Sequence, residues 1–210
     1  NLPESRLARY AASVLPGGFS YQDRIRAGAV AARLRVLDLV GRRAEAGVPV
    51  LGICNGFQAL VKTGLLPGAI DPTGAIQATL TFNRSGHFEC RWVTLQPVSQ
   101  TCIWTRGLEQ PIDCPVAHGE GNFQLQDPQM AEALAAAGQI ALVYARQDGS
   151  PAGCNYPHNP NGSIADIAGV CNPQGNVLGL MPHPEDHILP LQHPRWTRRQ
   201  SGGLGLHLFQ

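Results

Sequence analysis

The chain has 210 residues, 15% of them charged and 43% hydrophobic, with a net charge of +1 at neutral pH. That length holds one domain with a sizeable core but not two ordinary ones, and the composition excludes a disordered or fibrous chain in favour of a compact α/β core. A balanced charge, with only the short basic run Arg195 to Arg199, excludes nucleic acid as a partner. The longest apolar stretch is interrupted by Arg33, Arg35 and Asp38, which excludes a membrane span.

Residues 11–15 form a short apolar run that stops at Pro16-Gly17-Gly18, a strand entering a tight glycine loop. From Ala27 to Ala46, Val30, Leu34, Leu37, Val40 and Ala44 recur at helical spacing with charges opposite, and Gly47 ends the helix. Residues 48–53 fit a buried parallel strand, and a second helical pattern begins directly after Cys54. Residues 78–82 and 90–96 read as a hairpin extending one edge of the sheet. Another strand spans 111–117 and ends at His118-Gly119-Glu120-Gly121. Asp127-Pro128 opens an alanine-rich helix that closes at Gly138. Residues 140–145, 164–170 and 177–181 are further strands, the last running into Pro182-His183-Pro184-Glu185. No repeat or linker divides the chain, so residues 1–210 are expected to form a single domain. The expected fold is a three-layer, doubly wound α/β structure with a mostly parallel central sheet and extra antiparallel edge strands.

The sharpest chemical signal is Gly52-Ile53-Cys54-Asn55-Gly56-Phe57-Gln58. A strand must turn abruptly into a helix at Cys54, and small residues at 52 and 56 permit the turn, as in a nucleophile elbow. The helix start favours a thiolate there, and backbone amides at Asn55 and in the Gly17-Gly18 loop are placed to meet an oxyanion. A thiolate nucleophile needs a base, and the base needs an orienting partner. His183 and Glu185 supply both at the end of an apolar strand, and parallel strands bring their carboxyl ends to one crevice.

The elbow followed far downstream by His183-Pro184-Glu185 resembles the class I, triad-type glutamine amidotransferases. The stretches 15–21, 26–28, 52–58, 117–121 and 179–185 are similar to the glutaminase subunits of phosphoribosylformylglycinamidine synthase, a purine-synthesis enzyme. The resemblance implies that Cys54 attacks the side-chain amide of glutamine, aided by His183 and Glu185. It implies oxyanion amides from Gly18 and Asn55, and substrate contacts from Gln58 and Gly17. It implies that ammonia passes to a synthetase subunit, accompanied by a small third subunit, which uses ATP and Mg to make formylglycinamidine ribonucleotide. No cofactor or metal is expected in this subunit. His118 and Glu120 are candidates for contact with substrate or partner, or for fixing their own loop. The family begins with a strand, helix and strand ahead of the Pro-Gly-Gly loop, so the natural protein is expected to be longer at its amino terminus.

Two other readings stay open: a stand-alone Cys-His-Glu hydrolase of γ-glutamyl or DJ-1-like type, and a non-catalytic binding module on the same fold. The six cysteines lack zinc spacing, and although their count allows a disulfide framework a chain of this length does not need one, so they read as reduced, mostly buried thiols of a cytoplasmic protein. The sequons at Asn83 and Asn161 read as coincidence, and the histidines at 87, 158, 187, 193 and 207 as surface residues. The tail from Asp186 to Gln210 carries no clear signal beyond a place to dock on a partner.

Overall fold

The computed structural model describes residues 7, 9–18, 28–68, 77–198 and 202–210. The expectations resting on residues 1–5, 19–21 and 26–27 lie outside them. Nine strands are found among the described residues: β1 (Ser13–Leu15), β2 (Val50–Ile53), β3 (Ala78–Thr81), β4 (Glu89–Pro97), β5 (Ile112–His118), β6 (Asn122–Leu125), β7 (Ile140–Ala145), β8 (Ile167–Cys171) and β9 (Val177–Leu180). The α-helices are α1 (Arg35–Glu45), α2 (Asn55–Lys62) and α3 (Met130–Ala136). Seven strands form one sheet in the order β1-β2-β9-β8-β7-β4-β5, and β3 and β6 form a separate two-stranded sheet.

The α/β class and the antiparallel edge are as read from the sequence, but the antiparallel share is larger. β1, β2 and β9 are parallel, whereas β9-β8, β8-β7, β7-β4 and β4-β5 all pair antiparallel. The expected hairpin of residues 78–82 with 90–96 does not form. β3 pairs with β6, a strand the sequence reading passed over, while β4 pairs with β5 and β7. β4, nine residues long, is long enough to hold two neighbours at once, β5 along most of its length and β7 at its end. β3, with one apolar face, then takes its partner from beyond the 118–121 turn.

β2 and β9 are buried at every position, which is why both read as uninterrupted apolar runs. Burying each such large aliphatic side chain contributes roughly 1.5–3 kcal/mol. α1 starts later than its periodicity predicts. Leu34 adopts extended backbone and is exposed, a short 3₁₀ turn precedes it, and Leu37, Leu39, Val40 and Ala44 make the buried face.

The tail is more ordered into the fold than its composition suggests. It covers the free edge of β5, where Asp113 N–H donates to Gly203 O at 2.8 Å and His187 Nδ1 donates to Asp113 O. His187 and His193 are therefore not surface residues. They are buried against Trp92, with ring centroids 4.9 and 4.6 Å from the indole, and Leu208 enters the core. Covering an edge strand in this way removes a row of backbone groups open to mispairing. The asparagines of both sequons are buried and hydrogen-bonded inside the protein, which rules them out as glycan acceptors in the folded chain. All six cysteines are free, with Cys90 and Cys154 exposed and the other four buried.

Candidate active site

Strands β2 and β9 run parallel with Ile53 beside Leu180, so their carboxyl ends finish at the same level. Cys54 follows one and His183 follows the other by three residues, and Cys54 N–H donates to Leu180 O at 2.8 Å across the gap. The 128 residues that separate nucleophile and histidine in the chain are thus bridged by one pair of neighbouring strands.

At Cys54 the backbone adopts φ 50°, ψ −107°, a conformation that non-glycine residues avoid. It reverses the strand into α2 within one residue and presents the side chain above the sheet, as the sequence pattern predicted. The turn needs two glycines for space. A Cβ on Gly52 would lie 2.5 Å from Leu60 and 2.9 Å from the Gly56 backbone, and one on Gly56 would lie 2.1 Å from Leu15 O.

His183 Nδ1 is 2.8 Å from Glu185 Oε1, which fixes the ring and leaves Nε2 for Cys54. Nε2 is buried without a hydrogen-bond partner, and Cys54 is the neighbouring group that bears on the ring electrostatically. Burial by itself pushes the His183 pKa down. Interactions with Cys54 and Glu185, with the negative charge on both, override burial and raise it to about 10. The same ring faces the glycine loop, since a Cβ on Gly17 would sit 2.7 Å from His183 Cε1 and 3.4 Å from Cys54 Cβ. Gly18 follows at φ 149°. Asn55 opens α2 directly after Cys54, where the first helical N–H groups have no intrahelical acceptor.

On the opposite side lies the end of β5. The Cys54 thiol donates to Ala117 O at 3.9 Å. The carboxamide of Gln58, expected to hold substrate, is engaged within the protein: its oxygen accepts from Asn55 Nδ2 at 2.9 Å and its N–H donates to Glu120 O at 2.8 Å. It ties the 118–121 turn to the elbow helix. His118 is buried and Glu120 half-buried on that turn. Among the described residues, His183, Glu185 and Asp186 bring ligand-type atoms within 4.8 Å of one another, a spacing a cation can use, but His183 Nδ1 and Glu185 Oε1 already bond each other.

The structure thus gathers Cys54, His183, Glu185, Gly17 and Asn55 at one place. A family model described as a CobB/CobQ-like glutamine amidotransferase domain matches residues 2–210. The chain belongs to that family. As a glutamine amidotransferase it has relatives that cover most of its length. It is 50% identical over 220 residues to the phosphoribosylformylglycinamidine synthase subunit PurQ of Treponema denticola, covering 96% of this chain and 80% of the relative. It is 43% identical to the subunit of the same name from Pyrococcus furiosus, covering 84% and 71%. Among solved structures it resembles a chain of PurLQS from Thermotoga maritima, with a TM-score of 0.71, 36% identity, and coverage of 96% and 77%.

The raised His183 pKa makes a prediction for this amidotransferase. Protonated His183 stabilises the fold fully below its unfolded value near 6.5, and that contribution is lost as pH rises through about 10. An NMR titration of ¹⁵N-histidine-labelled protein is expected to show one ring titrating close to pH 10, and Glu185→Gln is expected to move it down. A His183 ring that titrates at its ordinary value in the unsubstituted protein contradicts the ion pair.

Sequence reasoning missed the Ala117 carbonyl beside the Cys54 thiol, a backbone group that no side-chain pattern reveals.

Proposed function

We infer that this chain is the glutaminase subunit of a phosphoribosylformylglycinamidine synthase, hydrolysing glutamine and delivering ammonia to a synthetase subunit. That partner, which uses ATP and Mg and works with a small third subunit, converts formylglycinamide ribonucleotide to formylglycinamidine ribonucleotide in the cytoplasm. Among the described residues of this chain, no helix is long and apolar enough to cross a membrane. The reading is carried by one arrangement: a cysteine at φ 50° on a strand-to-helix elbow, against a histidine locked by a carboxylate 2.8 Å away. The glutamine amidotransferase family supports glutamine as the substrate, and the subunit relatives support the synthase.

Cys54 Sγ attacks the carboxamide carbon of glutamine, and the carbonyl π electrons move to oxygen. The N–H groups of Gly18 and Asn55 receive that oxyanion. His183 Nε2–H protonates the nitrogen as the C–N bond breaks, which releases ammonia and leaves a glutamyl thioester. His183, now neutral, takes a proton from water as its oxygen attacks the thioester carbon. The C–S bond breaks, giving glutamate and the thiolate. Glu185 holds the imidazole in one tautomer and stabilises its charged form throughout. Gly17 contributes by having no side chain where His183 must turn.

The test is glutamine turnover by the protein, alone and with its synthetase partner. Ammonia release that rises sharply on adding the partner is the expected result. Turnover indifferent to the partner would return the stand-alone hydrolase to first place.

A further inference from the structure

The 118–121 turn is gripped from two sides. On one side is Gln58, on the elbow helix. On the other is Asn83, at the end of β3, a residue buried to 3% exposure whose every polar atom is used on this turn or its neighbour. Its backbone N–H donates to Gly119 O at 2.9 Å. Its side-chain N–H groups donate to His118 O at 2.8 Å and His87 O at 2.9 Å. Its side-chain oxygen accepts from Gly121 N–H at 3.0 Å and meets His118 Nδ1 at 3.1 Å. The Gly121 contact identifies that atom as the oxygen, so His118 Nδ1 must carry the proton and Nε2 must be the bare nitrogen. Nε2 is itself buried without a partner. The ring lies flat on Gly121, where a Cβ would come 2.2 Å from Cε1.

We propose that Asn83 is a positioning residue for the glutaminase reaction: it clamps the Ala117–Gly121 segment against the elbow and holds His118 as the neutral Nδ1–H tautomer beside the triad. The proposal rests on the glutaminase reading above. Its chemistry follows from charge. Burial, with a smaller contribution from the charge on His183, lowers the His118 pKa to about 4. A protonated His118 would oppose the imidazolium that His183 must form, so its neutrality is what the site requires. The titratable groups around it are Glu89 and Arg91 from β4, ion-paired at 2.8 Å, Glu120 on its own turn, and His183 and Cys54 from the site. Asn83 is the neutral residue that meets Nδ1, where a carboxylate would pull the pKa up.

Asn83→Asp tests this, because it preserves shape while replacing two N–H donors with an anion. In the assembled complex, kcat/KM for glutamine is expected to fall on the order of 100-fold at neutral pH. The profile gains a new acid limb as His118 becomes protonatable, and that limb disappears in Asn83→Asp/His118→Phe. A uniform loss at every pH, unchanged by removing His118, overturns the proposal and leaves Asn83 a structural residue. Should Asn83→Asp not fold, NMR of the unsubstituted chain decides: the Nδ1–H tautomer persisting to about pH 4 supports the assignment, and an Nε2–H tautomer refutes it. That spectrum does not depend on substrate. A failed glutaminase reading appears separately, as absent turnover in the unsubstituted complex.

Discussion

Cys54→Ala is expected to lower glutamine-dependent activity of the complex on the order of 10⁴-fold or more, while activity supported by added ammonia stays unchanged. The substitution removes the only atom that can form the thioester, and the surrounding oxyanion amides and histidine cannot replace a nucleophile. The fold has little reason to change. The site is buried but the side chain is small, and alanine tolerates φ 50° no worse than cysteine does. His183 responds in a way that separates this from global damage: with the sulfur gone, one of the groups raising its pKa is lost and the ring titrates lower than about 10. Steady-state assays with glutamine and with ammonium chloride, run on the same preparation, make the comparison. If both activities fall together, the effect is on assembly or folding. If glutamine-dependent activity survives, Cys54 is not the nucleophile.

The meeting of Cys54, His183 and Glu185 was legible in the sequence because they follow strands that are buried on both faces. Val50–Ile53 and Val177–Leu180 read as apolar runs, and the residue after such a strand is exposed to the crevice by geometry alone. What lay beyond reading was carried by backbone groups and by pairings between distant strands. β3 and β4 are consecutive and both β-rich, so a hairpin was the local expectation, yet a longer β4 found two better neighbours and left β3 to β6. The resemblance implies a substrate contact for Gln58, and no pattern in the sequence shows that its carboxamide also reaches across to Glu120 O. His187 and His193 looked like surface residues in a Pro-rich tail. Only a β5 edge needing cover explains their burial, and an unpaired edge leaves no mark in a one-dimensional pattern. Asn83 shows the same limit: its sequon reads as coincidence, and nothing in the pattern reveals its burial or its hydrogen bonds to His118 O and Gly121 N–H.

Gly56→Ala is expected to be the most damaging single methyl addition near the site. The new Cβ would fall 2.1 Å from Leu15 O and 2.8 Å from Leu15 C, and these are backbone atoms of β1 that cannot swing away as a side chain can. β1 is fixed by its parallel pairing with β2, where Leu15 lies beside Gly52. Relief therefore requires α2 to move off the sheet, and α2 carries the Asn55 amide and starts at Cys54 itself. Overpacking of this kind costs about 1–3 kcal/mol even after relaxation. The catalytic loss is expected to exceed what that cost implies, because an elbow displaced by about 1 Å loses on the order of 100-fold in rate while most of the core stays intact. Chemical denaturation and glutamine turnover measured on the same variant check both halves. A protein that unfolds at a lower denaturant concentration but turns over glutamine normally would mean that the helix accommodates the methyl without moving the thiol. Loss of turnover in a protein still folded at assay temperature would locate the damage at the elbow, where the close approach of Leu15 leaves room only for glycine.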